Sequence, residues 1–238
     1  MGRSNVAEFH KIIARLKTAL ESPAPSGTPA PSSGDSSEPA PVAPPNNRAE
    51  LISSFAREFE AVSGGFLGVL APDEAARRIA SLAQEAGARM VAIGEGVTTD
   101  ASLFTHALEG AGCVVEKFGK LDDGERPAAL ERLARCDLAV AEAHYAIAST
   151  GTFAVVGAPA RPNSLTLLPP ISVIVVHVDR LVANVAQALA ALGPDLVSAH
   201  RLSLITGPSR TADIEKRIVL GVHGPKSLYG AIIWPRNG

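Results

Sequence analysis

The sequence predicts an α/β protein, a mostly parallel sheet with helices on both faces, preceded by a tethered N-terminal helix. Three observations lead there. Short apolar runs alternate with helix-length amphipathic stretches, the pattern of strands joined by crossover helices. Apolar residues make up 46% of the 238 residues but aromatics only 4%, so Ala, Val, Leu and Ile build the core, which suits helices packed closely on a sheet. The runs imply a single core and no internal repeat.

The first element is an amphipathic helix within residues 1–21, where Val6, Phe9, Ile13, Leu16 and Leu20 fall at helical spacing and Lys11, Arg15 and Lys17 lie off that face. Residues 22–47 are Pro, Ala, Ser and Gly with little to bury, so they cannot offset their own ordering entropy and read as a linker. The helix must then hide its stripe on its own domain or on a partner. Residues 48–238 form the folded domain. It opens with a helix from Arg48 to Glu60 carrying Leu51, Phe55 and Phe59, then an apolar run from Gly65 to Leu70 and a helix from Pro72 to Ala86. Strand Arg89 to Ile93, helix Thr99 to Gly110, strand Cys113 to Glu116, helix Pro127 to Arg135 and strand Leu138 to Ala141 continue the alternation. Further strands are expected at Thr152 to Val156, Ile171 to Val178, Leu202 to Ile205 and Leu228 to Ile233. Asp179 reads as the N-cap of a helix that ends near Leu192-Gly193-Pro194.

Several function classes are set aside by composition. A net charge of -2 gives no electrostatic reason to bind nucleic acid or an acidic membrane. Two cysteines, Cys113 and Cys136, encode neither a disulfide framework nor a zinc site, and an iron–sulfur cluster needs about four thiolates. No metal site is expected. The N-terminus lacks a secretory pattern and no stretch approaches the ~20 apolar residues of a membrane span, so a cytoplasmic protein is expected.

Ligands of open α/β sheets settle outside the carboxyl ends of the strands, which singles out three loops. Gly94-Glu95-Gly96-Val97-Thr98-Thr99 begins like a dinucleotide fingerprint, with Gly94, Gly96 and Thr98 as possible contacts. Its third glycine is replaced by Thr99, however, and a tight turn with Thr99 capping a helix explains the same residues. Ser149-Thr150-Gly151-Thr152 can offer hydroxyls and N–H groups to an anion, or close a turn by its own side-chain bonds. The nearby Glu142 and His144 favour a polar cluster there. The third stretch, Gly207-Pro208-Ser209-Arg210-Thr211-Ala212-Asp213-Ile214-Glu215, is followed by Gly221-Val222-His223-Gly224-Pro225. Arg210 supplies a bidentate cation and Thr211 can cap a short helix, whereas Asp213 and Glu215 in its first turn would compete with a bound anion, and an Arg210–Asp213 pair could instead hold the loop in shape. His223 has no second histidine at ligand spacing and reads as a hydrogen-bonded loop residue. Serine hydrolysis finds no G-x-S-x-G elbow.

Taken together, Ala146 to Thr152, Pro169-Pro170 before a Val-rich strand, Gly207 to Glu215 and Gly221 to Pro225 resemble the lactate utilization protein C family, also called the LUD domain. The opening Phe9-His10-Lys11-Ile12-Ile13-Ala14-Arg15-Leu16 is similar too. The resemblance implies a Rossmann-like sheet of the ribose-phosphate isomerase and CoA-transferase type. It also implies a role in oxidising L-lactate to pyruvate, beside partner proteins that carry the iron–sulfur clusters. The chain itself would hold no cofactor, and an anionic small molecule would be its ligand. Many relatives have an acidic residue where this chain has Ser149, which argues against a carboxylate nucleophile at that position. Glu142, His144, Arg210 and Asp213 are left as catalytic candidates. The competing expectations are a stand-alone transferase or isomerase acting through Glu142 on a CoA-linked or phosphorylated substrate, and a scaffold for the cluster-bearing partners.

Overall fold

The computed structural model describes residues 48–94, 101–119, 125–157, 163–198, 201–212, 218–220 and 224–234. The expected N-terminal helix and linker therefore lie outside the described residues. Six strands, β1 (Gly65–Leu70), β2 (Met90–Gly94), β3 (Val114–Phe118), β4 (Leu138–Glu142), β7 (Ile171–His177) and β12 (Ser227–Ile233), form one sheet in the order β1-β12-β7-β4-β2-β3. Every pairing in it is parallel. The inner strands are nearly unbroken Val, Ile, Leu and Ala because a parallel sheet buries both faces.

Side chains alternate between those faces along each strand. Val91, Ile93, Leu138, Val140, Val173, Val175, Ala231 and Ile233 face α2 (Pro72–Glu85) and α3 (Ala101–Gly110), which press Ala75, Ile79, Ala83, Phe104 and Leu108 onto them. The alanine stripe of α2 lets that helix come close to the sheet, as the composition foretold.

The opposite face is covered in two parts. Ala92, Ala139 and Ala141 pack with Phe118 and with Ala129 and Leu133 of α4 (Arg126–Leu133), and Leu165 from a 3-10 turn, Asn163–Thr166, joins them. Ile174, Val176, Leu228 and Ile232 pack against α1 (Arg48–Ala61) and a second sheet. That sheet contains β5 (Tyr145–Ile147), β6 (Thr152–Gly157), β8 (Leu181–Val182) and β9 (Arg201–Ile205), in the order β8-β5-β6-β9. Its β5–β6 and β6–β9 pairs are antiparallel. Phe153 of β6 meets Phe55 and Phe59 of α1 edge-on, with ring centroids 5.1 and 5.4 Å away. α5 (Val185–Ser198) covers the far side of this sheet with Ala188 and Leu192. A separate hairpin pairs β10 (Arg210–Ala212) with β11 (Ile218–Leu220).

Three helix ends share one construction. After α1, Ser63 at φ 68 donates to Glu60 O while Gly64 donates to Phe59 O, both at 2.9 Å. Gly87-Ala88 after α2 and Gly112-Cys113 after α3 repeat these paired bonds, with each glycine at positive φ. This Schellman turn satisfies the last carbonyls and redirects the chain into the next strand.

Three expectations are corrected. Asp179 does not cap the long helix: Val178–Arg180 is a short 3-10 turn capped by His177, and Asn184 caps α5, its Oδ1 accepting from Gln187 N at 2.9 Å. Gln187 Oε1 in turn accepts from Ala183 N, a close variant of the capping box. Nor does that helix end near Leu192-Gly193-Pro194: Gly193, at φ 26, only kinks it, and helix resumes to Ser198. Thr211 does not open a helix: it lies mid-strand in β10 opposite Val219.

Candidate functional site

The chain runs outward from β2 to β3, then returns to place β4 on the other side of β2. The crevice outside the carboxyl ends of β2 and β4 is thus the topological switch point, where open α/β sheets take their ligands. β2 ends there on Gly94, and a Cβ on that residue would lie 3.0 Å from Leu165 Cδ1, so the glycine makes room for the 3-10 turn above it. β4 ends on the half-buried Glu142, in register with Val175 of β7.

Just past Glu142 the chain bends out of the parallel sheet into β5, and His144 occupies the bend. Its N–H donates to Ala154 O at 2.9 Å, and its Nδ1 accepts from Val156 N at 3.2 Å. A neutral ring with Nδ1 accepting carries its proton on Nε2. One strand over, His177 ends β7, its Nδ1 3.3 Å from both Asp179 N and Asp179 Oδ2. Asp179 Oδ1 accepts from Arg48 Nη2 at 2.8 Å, and the Arg48 guanidinium lies 5.6 Å from the ring centroid of Trp234, just past β12. Next along, Arg180 Nη1 donates to Tyr145 Oη at 2.8 Å. The carboxyl edge therefore carries Glu142 at the switch point, the imidazole of His144 engaged by the main chain, a His177–Asp179–Arg48 cluster, and Arg180 on Tyr145.

Asn163 anchors the turn beside this crevice. Its Nδ2 donates to Ser203 Oγ at 2.9 Å and its main-chain O accepts from Thr166 Oγ1 at 2.9 Å. Its Oδ1 is buried without a hydrogen-bond partner, packed where a Cβ on Gly157 would lie 2.6 Å away. An orphan acceptor of this kind is unfavourable unless water or a ligand meets it. Among the described residues, no three of His, Cys, Asp and Glu converge to hold a metal ion.

The hydroxyl-glycine loop has a different role from the one its composition suggests. Thr150 Oγ1 donates to Thr152 Oγ1 at 2.8 Å, and Thr152 Oγ1 lies 2.9 Å from Thr206 Oγ1, so these hydroxyls bond one another. Gly151, at φ 58, approaches α1 so closely that a Cβ would sit 2.6 Å from Phe59 Cα. Exposed Ser149 donates its N–H to Ala183 O at 3.0 Å. The loop ties the second sheet to α1. It also lies at the opposite end of the β5–β6 hairpin from His144, which bonds to Val156, about 13 Å of strand from Thr152. The polar cluster expected from Glu142, His144 and this loop is therefore divided in two.

What the structure does join is the loop and the late glycine clusters. Thr206 brings Gly207 beside the end of α1, where a Cβ on Gly207 would lie 3.0 Å from Val62 O. Pro208 is buried, and Ser209 N donates to Pro225 O at 3.0 Å, next to Gly224, whose Cβ would lie 2.9 Å from Ser209 Cβ. Arg210 and Thr211 pair with Leu220 and Val219 through the β10–β11 ladder. Gly96, Thr98, Asp213 and His223 lie outside the described residues.

Sequence reasoning missed Arg48, Asn163, His177, Arg180 and Trp234. For His177 a signal existed, since an imidazole closing a run of six apolar or small residues marks a strand end. Arg48 gave none, because its partners Asp179 and Trp234 are far along the chain.

The two cysteines stand apart from the site. Both are buried, and burial, reinforced by the nearby Asp137, raises the Cys113 thiol above its usual value. Burial, with Glu116 and Asp137 adding to it, pushes Cys136 up to about 11. Such thiols stay protonated and unreactive at neutral pH.

A protein-family model described as the LUD domain matches residues 52–233. A lactate utilization protein C from Halalkalibacterium halodurans is 33% identical over 107 residues, covering 43% of this chain and 46% of that protein. Another of the same name from an Exiguobacterium species is 34% identical over 114 residues, covering 46% and 50%. The chain thus matches about half the length of these curated relatives. The crystal structure of a DUF162 family protein from Deinococcus radiodurans superposes with a TM-score of 0.59 at 20% identity, over 80% of this chain and all of that one, and so shares the fold.

Proposed function

For a chain that belongs to the LUD domain family, we propose a role in lactate utilization, as the component that holds an anionic small molecule while partner proteins carry electrons. The observation that carries this is the set of groups at the carboxyl edge of the parallel sheet. Arg180, bonded to the neutral Tyr145 hydroxyl, supplies fixed positive charge suited to a carboxylate, whereas the charge of Arg48 is already paired with Asp179. His144, with Nδ1 bonded to the main chain, places its neutral-form proton on Nε2 and so adds a donor of defined tautomer, while His177 is held by both the main chain and the carboxylate of Asp179. Glu142 at the switch point is the general-base candidate for a substrate hydroxyl.

The finer reading is oxidation of L-lactate to pyruvate in the cytoplasm, with iron–sulfur clusters on partner subunits. Its support is the name shared by the curated relatives and the thiol chemistry of this chain, whose two buried cysteines are too few for a cluster of about four ligands. No helix among the described residues is long and apolar enough to cross a membrane.

The test is growth of a deletion strain on L-lactate as sole carbon source. Restoring the gene should restore growth, whereas Glu142→Gln and Arg180→Ala, on folded protein, should not. Unimpaired growth of the deletion strain, with no second lactate dehydrogenase present, sinks the assignment. A thermal-shift panel separates the competing enzyme: a ligand at ~100 times its Kd adds about 2.7 kcal/mol of stability. A shift with CoA or a sugar phosphate, and none with lactate or pyruvate, would move the function to transferase or isomerase chemistry at Glu142.

A further inference from the structure

We propose that the chain forms a two-fold dimer in which β9 pairs antiparallel with β9 of a second copy, joining two four-stranded sheets into one of eight strands. The inference starts from the sheet edges, because an exposed edge presents a row of unpaired N–H and C=O groups that proteins normally blunt. In the parallel sheet both edges are blunted. β1 has an irregular register between Phe66 and Gly68, with Gly68 at φ 114, and β3 carries Glu116 and Lys117. Of the other edges, β8 has two residues and β10 and β11 have three each. β9 is different. It is a five-residue strand, Arg-Leu-Ser-Leu-Ile, in unbroken register with β6, with no proline and no charge beyond Arg201 at its start.

Its side chains point the same way. Leu202 packs into the cluster that α5 builds over the second sheet, so Leu204, two residues on, faces the same side of the strand. Yet Leu204 is 46% exposed, and Leu189 of α5 is 40% exposed. Leu204 is thus an exposed apolar side chain on a strand that, among the described residues, pairs on one side only, the combination that strand addition uses.

A second copy fits this edge better than a foreign peptide because β9 is complementary to itself. Antiparallel pairing centred on Ser203 sets Leu204 of each copy opposite Leu202 of the other and Arg201 opposite Ile205. No like-charge rung forms, and the two arginines lie at opposite ends of the ladder. Each Leu204 gains the apolar neighbour that it lacks in one chain.

Sedimentation velocity and light scattering on the full chain should give a mass approaching twice 24.5 kDa at micromolar concentration. The outward amides of residues 201–205 should exchange more slowly as concentration rises. Leu204→Glu, a change at an exposed position, should return a monomer with an unaltered circular dichroism spectrum. Val114→Glu, at a 62% exposed site on β3, should leave the dimer intact. A wild-type chain that is monomeric throughout, including one that captures an unrelated peptide at β9, overturns the proposal. So does a dimer that survives Leu204→Glu. If that variant fails to fold, the wild-type exchange decides: amides of 201–205 whose protection is independent of concentration reject the pairing.

Discussion

Gly151 combines a φ of 58 with main-chain contact against Phe59, so a side chain there meets strain and collision at once. Gly151→Ala should cost at least about 2 kcal/mol, read as a lower midpoint in urea with an unchanged slope. Ser63 presents the opposite opportunity: it holds the left-handed position of a helix-ending turn that glycine fills after α2 and α3. Ser63→Gly should stabilise by up to about 1 kcal/mol in the same titration. Cys136 gives a pH signature. Its folded thiol is held at about 11 against a usual 9.0, so above pH 9 the unfolded chain releases a proton that the folded chain keeps. Stability should therefore fall as pH rises from about 9 to 11, by at most about 1.4 kcal/mol per unit from this group, and Cys136→Ala should flatten the slope. The chemistry of single residues was only partly legible beforehand. Thr150, Gly151 and Thr152 have the composition of an anion loop, but Phe59 and Thr206, which decide their role, are remote in sequence.

At the level of elements the sequence was a better guide. Period-2 and period-3.6 patterns locate helices α1 to α4 and the strands of the parallel sheet, because burial on defined faces leaves its mark on every residue of an element. Short elements escaped. β5, β8, β10 and β11 span two or three residues each, too few for a period to show. Capping was misassigned for a related reason. Asp179 has the right chemistry for an N-cap, but His177 and Arg48 engage it, and Asn184 with Gln187 starts α5. Asn184→Ala should cost about 1 kcal/mol, seen in equilibrium unfolding, whereas Asp179→Ala, which breaks an exposed ion pair, should cost less. Phe59→Ala, which removes a fully buried ring stacked 5.6 Å from Phe55, should cost about 3–5 kcal/mol and loosen the second sheet.

For the whole molecule, the sequence indicated one parallel sheet, and the structure adds a second sheet built from segments between β4 and β12. The strands of the two sheets look alike in composition. What separates them is pairing partner, a long-range property that neither β-propensity nor spacing encodes. That arrangement places the switch-point crevice, Glu142 and His144 where one sheet passes into the other, and the growth and thermal-shift tests address the molecule at this scale. The pairing of β1 with β12, Gly65 beside Tyr229, also has a bearing on how the protein is made. During synthesis β1 emerges early and must wait, its future partner not yet translated, while nearly all of the domain is added. Folding of the sheet should be slow and should finish only after Ser227–Ile233 has left the ribosome. Nascent chains arrested before that strand should be digested by protease within β1 and α1, while chains arrested well beyond it resist.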